Sequence, residues 1–532
     1  MAQSNPVPAR SVFRELGLRK TVDLLLEEIR ELYLSDQVPW VVGYSGGKDS
    51  TAALQLIWMA LSRLPRDRFH KTVNVISTDT LVENPIVAAW VEKSLVTMGK
   101  SAESSGLPFR PHRLTPDVSD TFWVNLIGKG YPSPRSKFRW CTERLKIKPS
   151  NAFITNVVRQ SGEAIIVLGT RKAESAARSQ AMTRMAERRT RARLSPNPTL
   201  PNSLIYSPVE DWSNDDVWMF LMQMSNPWGY NNRDLLALYQ GASPDGECPL
   251  VIDTTTPSCG DSRFGCWVCT VVEQDRSMTA MLANDDGMEW MRPLLKIRDA
   301  LGVRDPDNPG RRGDRHLRDF RRMDGRIKLL NGQPIAGPYT QEARESWLRM
   351  LLAAQREVRE SGHEPVRDIE LISMAELHEI RRIWVVDKHE IEDSLPRIYE
   401  ELTGEKFPGG RLDDNLPFGA EEVELLKEAC GGDRLHFELT RELLDIERRY
   451  QTSARRAGLY GALEQAFKRG FYTDEEDAAN RARQRLALKD AVESELPFGD
   501  GLLKESADSL SGLPDRASLK RMLEEINRIG EA

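Results

Sequence analysis

Apolar positions along the chain repeat with two different periods, and the alternation between them outlines an architecture. Residues 12–35 place their apolar side chains on one side of an amphipathic helix. Val41 and Val42 close a short apolar run, and from Ser50 onward Leu54, Ile57, Trp58 and Leu61 recur at helical spacing. A second strand, VNVIS at 73–77, leads through TDTLVENP to a helix in AAWVEKSLVTMG, and a further strand, AIIVLGT, spans 164–170. Strands alternating with helices predict an α/β fold, a doubly wound parallel sheet with ligands at the carboxyl ends of its strands. Residues 226–275 are rich in turns and cysteines and poor in periodic segments. From about 280 the pattern is mostly helical, interrupted by GRRGDR, NGQPIAGP and TGEKFPGG. LPFG occurs at 416–419 and 496–499 between diverging flanks, a local echo and not a repeat. The chain thus divides into a helical segment 1–37, an α/β domain 38–225, a cysteine-rich insertion 226–275 and a mostly helical region 276–532.

At 532 residues the chain can bury a large core and should hold two or more domains. A net charge of −6 with 29% charged residues means that any nucleic-acid surface must be local. The first residues, MAQSNPVPARSVFREL, contain no apolar signal region, and no apolar run is long enough to span a bilayer; a cytoplasmic location without a membrane anchor is the expectation. Six cysteines are too few for a disulfide scaffold, and their clustering points to a metal or redox role.

The stretch VVGYSGGKDSTAALQLIWMAL at 41–61 carries the first chemistry. Gly46 and Gly47 let backbone N–H groups approach an anion at the positive end of a new helix. Lys48 adds charge, and Ser45 and Ser50 add hydroxyl donors. Asp49 after the lysine rules out the G-x-x-x-x-G-K-[ST] phosphate loop. S-G-G-K-D-S instead resembles the PP-loop of the ATP pyrophosphatases, whose members include phosphoadenylylsulfate reductases, tRNA thiolases and amidating synthetases. That resemblance implies a PP-loop fold that binds ATP with magnesium and cuts it between the α and β phosphates.

Three more stretches resemble the phosphoadenylylsulfate reductase branch. Asp79 stands where that branch contacts the nucleotide. GTRKAESAARS at 169–179 is similar to its G-x-R-x-x-E-S-x-x-R element, with Gly169, Arg171, Glu174, Ser175 and Arg178 in place. YSPVEDWSNDDVWMFL at 206–221 is similar to its P-x-x-D-W-x-x-x-D-V-W segment, in which Trp212 and Trp218 are read as core packing. By this resemblance Lys48, Asp49, Ser50 and Arg171 are the candidate catalytic residues. Ser45, Gly46, Gly47, Lys48, Ser50, Asp79, Gly169, Arg171 and Glu174 are the candidate nucleotide-binding set.

WCTERLKIKP at 140–149 resembles the cysteine segment of the adenylylsulfate reductases that carry a 4Fe–4S cluster, with one cysteine where that family usually has two. CPLVIDTTTPSCGDSRFGCWVC then supplies Cys248, Cys259, Cys266 and Cys269. A C-x-x-C pair places two thiolates on one metal, and two outlying cysteines complete four ligands. The resemblance implies Cys141, Cys259, Cys266 and Cys269 around a 4Fe–4S cluster, with Cys248 as reserve ligand or sulfur carrier; a zinc knuckle is the alternative. The reductases' catalytic E-C-G-x-H has its nearest echo in EACGGD at 428–433, where Cys430 is read as a helix-end core thiol. Without that nucleophile, the remaining combination resembles the DndC-type sulfurtransferases of bacterial DNA phosphorothioation, or the SspD type of the single-strand system. This resemblance covers about the first 330 residues. It implies DNA as acceptor, a cysteine desulfurase as sulfur donor and further proteins of the phosphorothioation system as partners. Another PP-loop enzyme, such as a sulfonucleotide reductase or an RNA thiolase, and a non-catalytic iron–sulfur DNA-binding subunit are the rivals.

Two basic stretches bear on a polyanionic substrate. Residues 171–193 carry Arg178, Arg184, Arg188, Arg189, Arg191 and Arg193 just after the third strand. In 310–328, Arg315, Arg318, Arg322 and Arg326 fall three or four apart, so a helix there would align them on one face. Solvated charge is the alternative for each stretch.

Overall fold

The computed structural model of the chain describes residues 11–189, 191–242, 264–306, 313–410, 412, 419–451, 456–470 and 472–495. These form two compact units: the described residues of Met1–Asn125, Ser133–Val303 and Met350–Glu376, and those of Leu126–Pro132, Arg304–Arg349 and Leu377–Ala532.

The first unit is built on a six-stranded sheet. Its strands are β1 (Trp40–Gly43), β2 (Val73–Thr78), β3 (Phe109–Leu114), β4 (Ala164–Val167), β5 (Ser195–Pro196) and β6 (Ser203–Tyr206). They lie in the order β3-β2-β1-β4-β6-β5, all parallel except the short edge strand β5. The helices are α1 (Gly17–Leu34), α2 (Lys48–Ser62), α3 (Pro85–Ser105), α4 (Lys148–Ser161), α5 (Ala176–Ala186), α6 (Asn214–Gln223), α7 (Asn232–Gly241), α8 (Arg276–Asn284) and α9 (Arg292–Gly302). The α/β expectation therefore holds.

Alternation along each strand decides which helices cover which face. Trp40, Val42, Val73, Val75, Ile165 and Val167 pack with α1, α2, α3 and α6 in one large core. Val41, Ile76, Ala164 and Ile166 point the other way, onto Ile154 and Val157 of α4. Trp58 of α2 stacks on Phe109 at 4.2 Å, which ties the first helix after the loop to the far strand β3. Trp212 and Trp218 are buried as expected: Trp212 against Phe13 and Phe220, Trp218 against Tyr239. The sequence pattern passed over β3, because FRPHRL carries strongly apolar residues only at its two ends, Phe109 and Leu114. It also passed over α7 inside the supposed turn-rich segment, although Asn231 caps that helix and Leu235 and Tyr239 bury one side of it.

The remaining described helices are α10 (Gln341–Arg359), α11 (Met374–Arg382), α12 (Ser394–Thr403), α13 (Ala420–Ala429), α14 (Arg434–Gln451), α15 (Leu459–Gly470) and α16 (Glu475–Glu495), beside a small hairpin of β7 (Leu329–Leu330) and β8 (Gln333–Pro334). Cys430 lies at the end of α13, buried against Val423 and Phe437, as a core thiol. Asp445, fully buried on α14, accepts from His389 Nδ1 at 2.6 Å and is paired with Arg448 and Arg449.

The described part of the basic stretch, 313–328, does not form a helix that would align its arginines on one face. After one short turn at Arg315–Leu317, Arg318 bridges to Tyr339 as extended chain, and Gly325 at φ +79° closes a turn between Arg322 and Arg326. The Arg318 guanidinium donates to the carbonyls of Ala336 and Gly337, and Arg321 is tied to Asp319 and Glu438. Charge spacing suited a helix, but backbone pairing with 336–339 took the segment instead.

Candidate active site

Winding proceeds outward from β1 to β2 and β3, then returns to the other side of β1 for β4, so the carboxyl ends of β1 and β4 part into a crevice. The two loops that leave these strands line it. After β1, Tyr44, Ser45, Gly46 and Gly47 turn into α2. Gly46 has φ +73°, and a Cβ there would meet Val91 Cγ2 at 2.4 Å. The turn is braced by Ser50, whose Oγ accepts from Ser45 N at 3.2 Å, contacts Ser45 Oγ at 3.1 Å and donates to Gly47 O at 3.0 Å. First-turn N–H groups of a helix have no intrahelical partner, so an anion at this end meets donors and a favourable dipole.

The loop after β4 crosses directly over the start of α2. A Cβ on Gly169 would lie 2.5 Å from Asp49 O and 2.8 Å from Ser50 N, backbone atoms that cannot rotate away. Two residues on, buried Arg171 donates from Nε to Asp49 Oδ1 at 2.7 Å and from Nη1 to Trp212 O at 3.2 Å. Its own N–H donates to Glu174 Oε1 at 2.8 Å, and Glu174 also receives Arg178 Nη1 at 2.8 Å. Lys48 Nζ lies 3.4 Å from the other oxygen of Asp49 and above the ring of Tyr239. Asp79, after β2, accepts from Leu81 N at 2.8 Å and pairs with Arg113 of β3.

Ser45 through Ser50, Asp79, Gly169, Arg171, Glu174 and Arg178 thus share the wall of one cavity of about 870 Å³, which is room for a nucleotide. Two wall residues had no signal in the sequence. Arg113 came from the strand that was passed over. Tyr239, from the unexpected helix α7, accepts a hydrogen bond from Lys48 N at 3.4 Å. Burial, foremost, pushes its hydroxyl up to about 12, so it stays neutral near pH 7.

The wall of the same cavity includes Glu83 and Lys146, which neighbour Cys266 outside that wall. Cys266 Sγ is 3.3 Å from Thr80 Oγ1, and Lys146 Nζ is 3.1 Å from Glu83. Burial, then Glu83, pushes the Cys266 thiol up to about 12; burial, then Cys269, raises that of Cys141. Burial works against the Lys146 charge, but Cys266, Glu83 and Cys141 hold its pKa above the ordinary value. Buried Arg298 of α9 fixes the turn after the C-x-x-C pair through the carbonyls of Cys269, Val272 and Glu273. Cys141, Cys266 and Cys269 are therefore electrostatic neighbours. Cys248 and Cys259 lie outside the described residues, and among the described residues no three His, Cys, Asp or Glu side chains are grouped as a metal site.

The arginines of 171–193 divide. Arg189 is held by Glu210 at 2.9 Å, Arg191 by Glu163 at 2.9 Å and Arg193 by Glu28 at 2.7 Å. Arg184 and Arg188 are exposed, and Arg184 contacts only Gln180 O, at 3.4 Å, among the described residues. Pairing with Glu210, Glu163 and Glu28 cancels much of the field that the run of charges implies.

A mostly parallel sheet with a glycine turn at its switch point is an architecture in which α/β proteins bind ligands at the carboxyl ends of the strands. Residues 39–271 match the family model of the phosphoadenosine phosphosulfate reductase domain. An uncharacterized protein of Methanocaldococcus jannaschii is 25% identical over 245 residues, 46% of this chain, and the match spans 39% of that relative's length. The crystal structure of phosphoadenylyl-sulfate reductase from Candida auris, a phosphate complex, aligns with 38% of this chain and 86% of its own at 14% identity and a TM-score of 0.24. No described helix is long and apolar enough to cross a membrane.

Gly169→Ala should lower stability by about 1–3 kcal/mol in chemical denaturation, since the added methyl overpacks against backbone, and should weaken ATP binding by moving the start of α2. Gly241→Ala, whose Cβ would enter open space, should do neither.

Proposed function

We propose that the protein is an ATP-dependent sulfurtransferase that adenylates a DNA backbone phosphate and replaces a non-bridging oxygen with sulfur. The observation that supports this reading is that the cavity holding the 45–50 turn also has Glu83 and Lys146 in its wall, and both neighbour the Cys266 thiol.

A phosphodiester oxygen is a poor leaving group, so the exchange needs prior activation. A non-bridging DNA oxygen attacks the α-phosphate of ATP, forming a P–O bond as the bond to pyrophosphate breaks. The 45–50 turn and Lys48 meet the charge that develops on the departing pyrophosphate. Magnesium bound with the nucleotide would share that charge. A sulfur nucleophile then attacks the adenylated DNA phosphorus, and AMP leaves with the original oxygen. Arg171 does not face the phosphates as a free cation; it neutralises and fixes Asp49, which keeps the first turn of α2 in place.

Three soft, half-buried thiols, two of them close enough to Lys146 to act on its charge, suit a thiolate-bound 4Fe–4S cluster. Cys141, Cys259, Cys266 and Cys269 would hold it, with Cys248 as the alternative to Cys141. Such a cluster would supply redox and sulfur-handling chemistry next to the nucleotide. DNA as acceptor, a cysteine desulfurase as sulfur donor and the other phosphorothioation proteins as partners rest on the resemblance to the DndC and SspD types. The reductase-like domain keeps a sulfonucleotide reductase as second reading. Against it, Cys430 is buried in a helical core and not displayed as a nucleophile.

Incubation with ATP, with and without DNA, should yield AMP and pyrophosphate, and Lys48→Ala should abolish the reaction while the circular dichroism spectrum stays unchanged. ADP and phosphate as main products would exclude the reading, and turnover only with a sulfonucleotide would favour the reductase. If the open arginines track phosphates, Arg184→Ala with Arg188→Ala should reduce the salt slope of DNA binding by about one per lost contact; an unchanged slope returns them to solvated charge. Protein purified without air should be brown, with iron and acid-labile sulfide in equal amounts, and Cys266→Ser or Cys269→Ser should bleach it. A colourless zinc protein without sulfide would refute the cluster. Retention of colour in Cys141→Ser but not Cys248→Ser would exchange those two assignments.

A further inference from the structure

Tyr239 of the cavity wall stands between the 45–50 turn and the chain that leads into the C-x-x-C pair. It comes from α7, and its hydroxyl accepts from the backbone N–H of Lys48 at 3.4 Å. A Cβ on Gly47 would lie 3.3 Å from that oxygen, so the hydroxyl sits against the corner where the turn becomes α2. The ring meets Phe264 edge-on, with centroids 4.8 Å apart, and packs against buried Trp218 at 5.2 Å. Phe264 shares the cavity wall and stands two residues before Cys266.

The contact with Lys48 is weak and replaceable. At 3.4 Å it is longer than an ordinary N–H···O bond. The acceptor is a neutral hydroxyl, since burial, foremost, raises its pKa to about 12. Lys48 opens α2, so its N–H has no partner inside the helix and belongs to the donors that a helix start offers to an anion. A charged phosphate oxygen makes a shorter and stronger bond to such a donor than a phenol oxygen does. In the ligand-free turn the hydroxyl therefore occupies a donor that a phosphate would claim. Beyond Phe264, Asn84 N donates to Gly265 O at 3.4 Å and Trp267 N to Val82 O at 3.0 Å, while Cys266 bridges to Glu83. Movement at Phe264 thus reaches the backbone contacts that place Cys266.

We propose that Tyr239 is a positioning residue that links the 45–50 turn to the Cys266 segment. A phosphate bound at the turn takes the Lys48 N–H from the Tyr239 hydroxyl. The ring, released from the turn, relaxes its contact with Phe264 and loosens the segment that carries Cys266. This rests on the reading of the cavity as an ATP site. Coupling between two sites is reciprocal, so a rigid Cys266 segment in turn holds Tyr239 on Lys48 and lowers the affinity for phosphate.

Calorimetric titration of the full chain with magnesium pyrophosphate, paired with hydrogen–deuterium exchange over residues 264–270, tests the assignment. In wild type, pyrophosphate should speed exchange across 264–270. Tyr239→Phe keeps the ring and removes the acceptor. Without ligand it should already exchange there as fast as ligand-bound wild type. It should also bind pyrophosphate about two- to tenfold more tightly, the worth of one displaced hydrogen bond. Phe264→Leu, which leaves the hydroxyl in place, should lose the exchange response to pyrophosphate. Equal or weaker binding by Tyr239→Phe overturns the proposal, because the hydroxyl then does not compete with the phosphate. An undiminished exchange response in either variant, or none in a wild type that binds pyrophosphate, also overturns it and leaves Tyr239 as a packing residue. A wild-type protein that binds neither pyrophosphate nor ATP removes the nucleotide reading itself, and with it this inference.

Discussion

The site depends on how closely the chain leaving β4 passes over the first turn of α2. No side chain fits at Gly169, where the Cβ of any other residue would press on the backbone of Asp49 and Ser50. That contact brings Arg171 within reach of Asp49, and Arg171 in turn grips Trp212 O ahead of α6. Three connections, after β1, after β4 and before α6, are thereby locked to one another. The glycine turn has little rigidity of its own; it takes its shape from Ser50 inside and from this clamp outside.

The clamp also explains why a lysine and an arginine so close together serve different ends. Arg171 is 4% exposed and spent on Asp49 and a carbonyl, so its charge is structural. Lys48, beside the same carboxylate at 3.4 Å and over the Tyr239 ring, keeps a longer and looser contact. A flexible ammonium suits a transient anion, whereas a guanidinium fork suits a fixed carboxylate. Elsewhere in the cavity wall, Lys146 has Glu83 for a neighbour and the half-buried thiols of Cys266 and Cys141 close by, and its cation offsets charge that the thiols would acquire as thiolates.

Surface charge reads differently once partners are known. Residues 171–193 look uniformly basic in the sequence, yet Arg189, Arg191 and Arg193 each meet a carboxylate from another element. The stretch at 310–328 has the spacing of a one-sided helix, yet Arg318 and Arg321 bind carbonyls and acids of their own unit. An ion pair formed within the chain both lowers the local field and restrains the side chain, so counts of lysine and arginine overstate what is open to a polyanion.

Local pattern determined a good deal of this protein. Apolar runs near 41, 73 and 164 are strands, the spacing from Ser50 to Leu61 is a helix, and the glycine turn lies between strand and helix, because period and turn chemistry act within a few residues. Trp212 and Trp218 were legible as core for the same reason. The strand at 109–114 was not, since its place beside β2 comes from backbone pairing with Phe109 and Leu114 at its ends, not from alternation. Nor were Arg113 and Tyr239 as members of the cavity wall, because each arrives there on an element whose packing is set by residues far away in the chain. A sequence carries its periods and turns openly. Which side chains share a cavity, and which charges cancel, is decided by distances that only the folded chain creates.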